Sequence, residues 1–157
     1  MLIRTAAVLL FGAILALAQQ DDHQSMVNMH GDHVMGFSHD KTTHHFELNY
    51  DGGVIDVRAN DVHDTESRDQ IRSHFHHMAQ MFADGNFSAP MLVHGTDVPG
   101  TATMAHLKDQ LHWDLQETPR GARIVVVADT KPALDALHDF LRFQIKDHDT
   151  GDCTAVR

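Results

Sequence analysis

Cysteine is nearly absent from this sequence, in which Cys153 is the only one among 157 residues. A single cysteine excludes an intramolecular disulfide, and it excludes a zinc or haem site built on paired cysteines. The sequence also lacks a Gly-x-Ser-x-Gly elbow, a phosphate-binding loop, a Gly-x-Gly-x-x-Gly turn and a His-Glu-x-x-His motif. No familiar enzyme motif therefore supports catalysis, although a catalytic site of another kind stays open.

Positive charge is scarce as well, with 12 Lys and Arg against 22 Asp and Glu and a formal net charge of -10. This acidity argues against nucleic acid and anionic lipid as partners. Long apolar runs are missing too, because the longest, residues 5–18, falls short of the ~20 residues that span a bilayer. The sequence therefore predicts no stable membrane anchor.

That short apolar run has the features of a cleavable signal peptide, predicted over residues 1–18. Arg4 supplies a positive charge ahead of the run, which ends in Ala16-Leu17-Ala18, the small-x-small pattern that a signal peptidase accepts. Cleavage after Ala18 predicts an exported protein that functions in the periplasm or outside the cell. A retained N-terminal anchor is the alternative.

Residues 41–152 are predicted to form one α+β domain, followed by a short C-terminal tail over residues 153–157. Two β-hairpins are predicted, over residues 43–59 and 112–128, each with turn residues between two strand-like runs. Apolar residues at helical spacing predict three helices, over residues 64–82, 97–111 and 132–150. The order ββα-α-ββα favours a two-layer sandwich, in which both hairpins form one antiparallel sheet with helices on one face.

Histidine and methionine are unusually abundant, with 15 and 8 residues respectively. In an exported protein without paired cysteines, imidazole and thioether are the suitable donors for soft or borderline metal ions. Imidazole suits Cu(II), Zn(II) or Ni(II), whereas thioether selects for Cu(I). The composition therefore predicts a metal ion as the partner, copper first, with zinc or nickel as alternatives.

Residues 19–40 contain the densest cluster of these donors and lack helical or strand periodicity. We interpret them as a flexible Met/His-rich arm, or as a segment that a ligand orders. A short segment of this kind can wrap a soft cation and become ordered on binding. The candidate ligands in the arm are Met26, Met29, His30, His33 and Met35. A polar tail without a metal is the alternative.

A second group of candidate ligands lies in the predicted domain. His74 and His77 are one turn apart on the first predicted helix, a spacing that can chelate a metal if another element supplies a third ligand. His44 is placed to do so, because it shares a strand face with Phe46 and Leu48. Ordinary structural histidines are the alternative.

Four other histidines are interpreted as hydrogen-bonded structural residues, namely His94, His106, His138 and His148. The run Asp147-His148-Asp149 suggests a carboxylate–histidine pair of the kind that fixes a tautomer. Met78 and Met81 are interpreted as core filling, the commoner role of buried methionine.

Several short motifs resemble a family of small exported bacterial proteins of unknown function. They are Met35-Gly36-Phe37-Ser38, Asp40-Lys41-Thr42-Thr43-His44-His45-Phe46, Asp51-Gly52-Gly53, Ala59-Asn60-Asp61, Phe140-Leu141-Arg142-Phe143-Gln144-Ile145 and Thr150-Gly151-Asp152. The resemblance covers roughly residues 33–152. It implies a common fold and little about chemistry.

Some members of that family carry the label aspartate carbamoyltransferase, which the residues here do not support. That enzyme binds carbamoyl phosphate with a Ser-x-Arg-Thr-Arg loop at a helix N-terminus. This chain offers only Ser67-Arg68-Asp69, is acidic, and is too short for such a two-domain enzyme. We therefore reject that activity.

The leading hypothesis is an exported, soluble, non-catalytic metal-binding protein that handles copper through its Met/His clusters. An envelope structural or interaction module with a histidine-based pH response is the first alternative. An enzyme with a histidine-based site is the second. The sequence identifies no protein partner.

Export predicts a specific processing event. The protein isolated from the envelope of the producing cell should begin at Gln19, because Ala16-Leu17-Ala18 provides the cleavage pattern. Intact-mass measurement and N-terminal sequencing check this result. Recovery of chains that still carry Arg4 from a membrane fraction would contradict it.

Overall fold

The computed structural model describes residue 22 and residues 25–157. The predicted signal peptide, residues 1–18, lies outside the described residues. None of the helices in the described part is both long and apolar enough to cross a bilayer.

Two β-hairpins form a four-stranded antiparallel sheet, as the sequence predicts. The first hairpin consists of β1 (Thr42–Asn49) and β2 (Gly52–Ala59), and the second of β3 (Leu111–Thr118) and β4 (Gly121–Ala128). The strand order is β1-β2-β4-β3, so the hairpins join through β2 and β4. The α+β sandwich expected from the sequence is thereby confirmed.

The pairing of β2 with β4 depends on glycine at both ends of the contact. Gly52 pairs with Val127, and Gly121 pairs with Arg58. A Cβ at Gly121 would lie 2.2 Å from the carbonyl oxygen of Val57, and one at Gly52 would lie 1.8 Å from that of Val126. Only glycine therefore allows the two backbones to approach closely enough to pair there.

Five helices accompany the sheet in the described part of the chain. They are α1 (residues 25–35), α2 (Thr65–Ala83), α3 (Ser88–His94), α4 (Thr101–His106) and α5 (Lys131–Asp147). Helix α2 packs on β2, β3 and β4, while α5 packs on β1, β2, β4 and α4. The side chain of Asp64 caps α2 by accepting a hydrogen bond from the backbone N–H of Ser67 at 2.9 Å.

The core lies between the inner face of the sheet and the apolar stripes of α2 and α5. The predicted stripe of α2 is confirmed, because Ile71, Phe75, Met78 and Phe82 are all buried. Phe46 and Leu48 of β1 are buried on the same side of the sheet, as their alternation predicts. This layer arrangement turns the inner face of β1, including His44, toward the helices.

Two of the helices were not expected from the sequence. Pro90 suggests a loop, but it lies in the first turn of α3, where a missing N–H costs no helical hydrogen bond. Residues 25–35 form α1, although residues 19–40 show no helical periodicity in sequence. A helix predicted over residues 97–111 is shorter in the structure, where α4 is followed by a 3-10 turn at Lys108–Gln110.

Helix α1 rests on the rest of the domain through a narrow inner face. Val27 and Gly31 are buried, and a Cβ at Gly31 would lie 3.9 Å from Cγ1 of Val93 in α3. Because residues 27, 31, 34 and 35 share one helical face, Val34 and Met35 point toward the same side. The helix thus covers one end of the sandwich.

The C-terminal tail covers the free edge of β1. The N–H of Arg157 donates to the carbonyl oxygen of Leu48 at 2.9 Å, and the N–H of Tyr50 donates to the carbonyl oxygen of Arg157 at 3.1 Å. Asp152 accepts from the N–H of Phe46 at 2.9 Å and lies 3.0 Å from Nδ1 of His45. These bonds satisfy edge groups of β1 and fix the strand that carries His44.

Replacement of Gly121 by alanine should destabilise the fold by about 3 kcal/mol, because its Cβ would overlap the backbone of β2. Urea unfolding measures this loss. The control is Gly95→Ala, where a φ of +64 adds strain but nothing lies within 4 Å of a Cβ, so the expected loss is only about 1 kcal/mol. Equal losses in both variants would contradict the close approach of β2 and β4.

Candidate functional site

An apolar cavity of about 80 Å³ lies between the sheet, α2, α3 and α5, beneath the end of α1. Most of its lining is aliphatic or aromatic, and the described residues that line it include no Asp, Glu, Lys or Arg. Its polar groups are four histidines, His44, His74, His94 and His148, together with Gln144. The thioethers of Met35 and Met78 also line it. The cavity therefore combines an apolar wall with soft and borderline donors.

Each histidine comes from a different element. His44 alternates with Phe46 on the inner face of β1, and His74 precedes buried Phe75 in α2. His94 is the last residue of α3, and His148 is the C-cap of α5. Four segments that are distant in sequence thus place an imidazole at one cavity.

The rings form a continuous row. His44 and His148 stack with centroids 5.2 Å apart and planes 4° apart, and His148 meets His94 edge-on at 4.9 Å. Phe37 connects the other end of the row, because its centroid lies 6.0 Å from that of His44 and 5.6 Å from that of His74. The ring of Phe37 is itself buried, so it fixes this end of the row.

Burial keeps the imidazoles of His44, His74 and His148 neutral. It is the main cause that lowers the pKa of His44 to about 4, with smaller contributions from the neighbouring histidines His74, His45 and His39. Burial, and then His77, lower the pKa of His74 to about 4. The pKa of His148 lies well below its usual value for the same reason, reinforced by His44 and His94. At neutral pH each ring therefore has one nitrogen with a free lone pair.

The four histidines differ in their hydrogen bonds. Nδ1 of His94 donates to Asp147 Oδ2 at 2.5 Å, and its Nε2 lies 3.1 Å from Oε1 of Gln144. Asp147 and Gln144 thus flank the two ring nitrogens of His94. By contrast, His44, His74 and His148 make ring contacts but no ring-nitrogen hydrogen bond to any residue in the described part of the chain. These three are the rings that can accept a ligand.

A polar cleft of about 380 Å³ adjoins the apolar cavity. Three side chains, Met35, His44 and His148, line both spaces. The rest of the cleft lining includes His39, Thr42, Thr43, Asp149 and Thr150. Met35, His44 and His148 therefore form the wall between a polar cleft and an apolar interior, and we call them the boundary cluster.

The structure brings three of the candidate ligands together and separates the other five. Met35, His44 and His74 line the apolar cavity. His77 is exposed on α2, away from this lining. The remaining four lie on the outer face of α1, where Met26 and Met29 are 51% and 62% exposed and His30 and His33 are also exposed.

No three His, Cys, Asp or Glu side chains within residues 22 and 25–157 are already arranged to hold a metal ion. Two imidazoles that share an ion at about 2.0–2.1 Å have ring centroids at most roughly 6 Å apart. The 5.2 Å between His44 and His148 meets this limit, but their parallel planes keep the lone pairs from converging. Rotation of one ring is therefore needed before both could bind one ion.

The sequence did not identify His94 or His148 as part of this site. His148 follows the buried positions Leu141, Gln144 and Ile145 of α5, so its helical phase is the signal that it faces the core. No comparable signal existed for His94, because Pro90 suggested a loop. The carboxylate–histidine pair suggested for Asp147-His148 forms between Asp147 and His94 instead.

No protein-family model, curated protein or solved structure matches this chain. The resemblance noted in its sequence motifs therefore stays a prediction.

The lowered pKa values predict how stability depends on pH. Between pH about 4 and 6.5 the unfolded chain binds a proton at His44 that the folded protein does not. Folding stability should therefore rise with pH through this window, level off above it, and fall on acidification. In His44→Gln, the slope of the free energy of unfolding against pH should decrease by up to about 1.4 kcal/mol per pH unit.

Urea unfolding at several pH values between 4 and 6.5 measures this slope. The matched control is His63→Gln, since His63 is exposed, and its slope should equal that of the unaltered protein. Carboxylates titrate alike in all three proteins, so only the difference between slopes is interpreted. An unchanged slope in His44→Gln would contradict a buried neutral imidazole.

Proposed function

We propose that this exported protein binds a single soft or borderline metal ion, copper first with zinc or nickel as alternatives, through the imidazoles around its apolar cavity. The observation that carries the proposal is that His44, His74 and His148, from three elements, line one cavity. None of the three has a hydrogen bond at a ring nitrogen within the described residues. Imidazole is the commonest protein ligand for these ions.

The electrostatics of the cavity support metal binding at neutral pH. An imidazole must be neutral to bind a metal, so protons compete with the ion wherever the histidine pKa is near the ambient pH. Burial lowers the pKa of His44 and His74 to about 4, which removes this competition at pH 7. The site thus offers deprotonated donors without requiring proton release.

The size of the apolar cavity, taken without the adjoining polar cleft, also favours an ion over an organic cofactor. Sites for drug-sized molecules and cofactors occupy about 300–1,000 Å³, whereas this cavity has about 80 Å³. An ion with its donor atoms fits such a volume, because a single water-sized sphere needs only about 10–15 Å³.

The pH-response alternative receives less support from the same residues. A switch near neutral pH requires histidines that change charge close to pH ~6.5. Because the pKa of His44 and of His74 is lowered to about 4, neither ring changes charge in the folded protein at mild pH.

Metal binding is tested by titrating the processed protein with Cu(I), Cu(II), Zn(II) and Ni(II), and by metal analysis of protein purified from the envelope. One ion should bind per chain. The double variant His44→Gln/His148→Gln should bind at least about tenfold more weakly, because it loses two of the donors. Circular dichroism verifies that the variant is folded.

Two control variants decide where the ion binds. His76→Gln/His77→Gln removes exposed imidazoles from α2, and His30→Gln/His33→Gln removes them from the outer face of α1. Both should retain the affinity of the unaltered protein. If either control loses affinity while His44→Gln/His148→Gln retains it, the proposed site is wrong. If no ion binds, the proposed function is wrong.

A further inference from the structure

The donors and the charge of the cavity also bear on which ions it accepts. Resting on the proposed function, we infer that the boundary cluster of Met35, His44 and His148 selects a monovalent soft cation, Cu(I) or its chemical analogue Ag(I), over divalent ions. Helix α1 supplies the thioether that makes the selection.

The donor set has no negative charge. A thioether and two neutral imidazoles bind the ion without neutralising it, and the described lining of the apolar cavity contains no carboxylate. The cost of moving an ion into a low-dielectric interior grows with the square of its charge, so a divalent ion costs about four times as much as a monovalent one of equal radius. The cavity therefore disfavours Zn(II), Ni(II) and Cu(II).

Neither Asp147 nor Asp149 removes this penalty. Asp147 is already paired with His94. Asp149 lines the polar cleft but is exposed to solvent there. A divalent ion at the wall would thus have only neutral donors, because the carboxylate of Asp149 lies in the polar cleft.

The thioether adds a preference that depends on ligand softness. Methionine sulfur selects Cu(I), whereas imidazole alone suits Cu(II), Zn(II) and Ni(II) as well. Met35 is the last residue of α1 and lines both the cleft and the cavity. Cu(I) and Ag(I) accept two or three donors, so they do not require the set of His and carboxylate ligands that is missing from the described residues.

The position of the cluster provides a path for the ion. The polar cleft admits a hydrated cation past Thr42, Thr43 and His39. At the wall, once one of the two imidazole rings has rotated, Met35, His44 and His148 can replace its water molecules, and the lining behind them is largely apolar. The exposed donors Met26 and Met29 lie on the opposite face of α1 and cannot reach the same ion.

Ag(I) is the redox-inert probe for this selectivity. The processed protein should bind Ag(I) at least about a hundredfold more tightly than Zn(II) at pH 7, because charge and softness both favour Ag(I). Met35→Leu keeps the side-chain size and removes the sulfur. It should weaken Ag(I) binding about tenfold or more and leave Zn(II) binding unchanged.

The matched control is Met29→Leu, the same replacement on the exposed face of the same helix, which should leave Ag(I) binding unchanged. A second readout is the NMR shift of methionine methyl groups, in which the methyl of Met35 should move on Ag(I) addition and that of Met29 should not.

The possible results separate this inference from the proposed function. If Zn(II) binds as tightly as Ag(I), and His44→Gln/His148→Gln loses the binding of both ions, the inferred selectivity is wrong but the proposed metal site stands. Ag(I) binding lost in Met29→Leu but retained in Met35→Leu would place the site on the outer face of α1 and overturn the inference. Absence of binding by every ion would overturn both proposals.

Discussion

The pairing of β2 with β4 is the interaction on which the rest of the structure depends. Each hairpin alone would be marginally stable, but their union gives a four-stranded sheet with one continuous apolar face. Gly52 and Gly121 permit that union because no side chain separates the backbones. Helices α2 and α5 pack on the resulting surface, and this packing brings the C-terminal end of α5 next to β1.

The cavity is the place where this packing is least like an ordinary core. Four imidazoles occupy a region that Phe, Ile and Val otherwise fill, and burial of a polar group without a partner destabilises a protein. His94 pairs with Asp147 and Gln144, whereas His44, His74 and His148 are partly exposed and have no hydrogen bond at a ring nitrogen in the described residues. Strongly shifted pKa values in a cleft are typical of functional sites, and neutral imidazole is the form that binds metal.

The elements with strong periodicity were predictable. The alternating strands and the apolar stripe of α2 can be predicted directly from the sequence, because in each element the residues that face the buried layer are apolar. Helix α3 was missed because Pro90 signals a break, although proline is tolerated in a first helical turn. Helix α1 was missed because its inner face is narrow and includes Gly31, so its amphipathic character depends on contact with α3.

The sequence by itself determined the donors and their faces. It excluded an intramolecular disulfide, indicated an imidazole and thioether chemistry, and placed His44 on the inner face of β1 with Phe46, because periodicity within an element defines which side a residue occupies. Only the tertiary structure decided that His148 stacks on His44, that Met35 faces inward while Met29 faces outward, and that His77 stays exposed. These arrangements depend on how elements distant in sequence pack against a common sheet. A local sequence pattern does not encode the spatial distance between side chains of different elements.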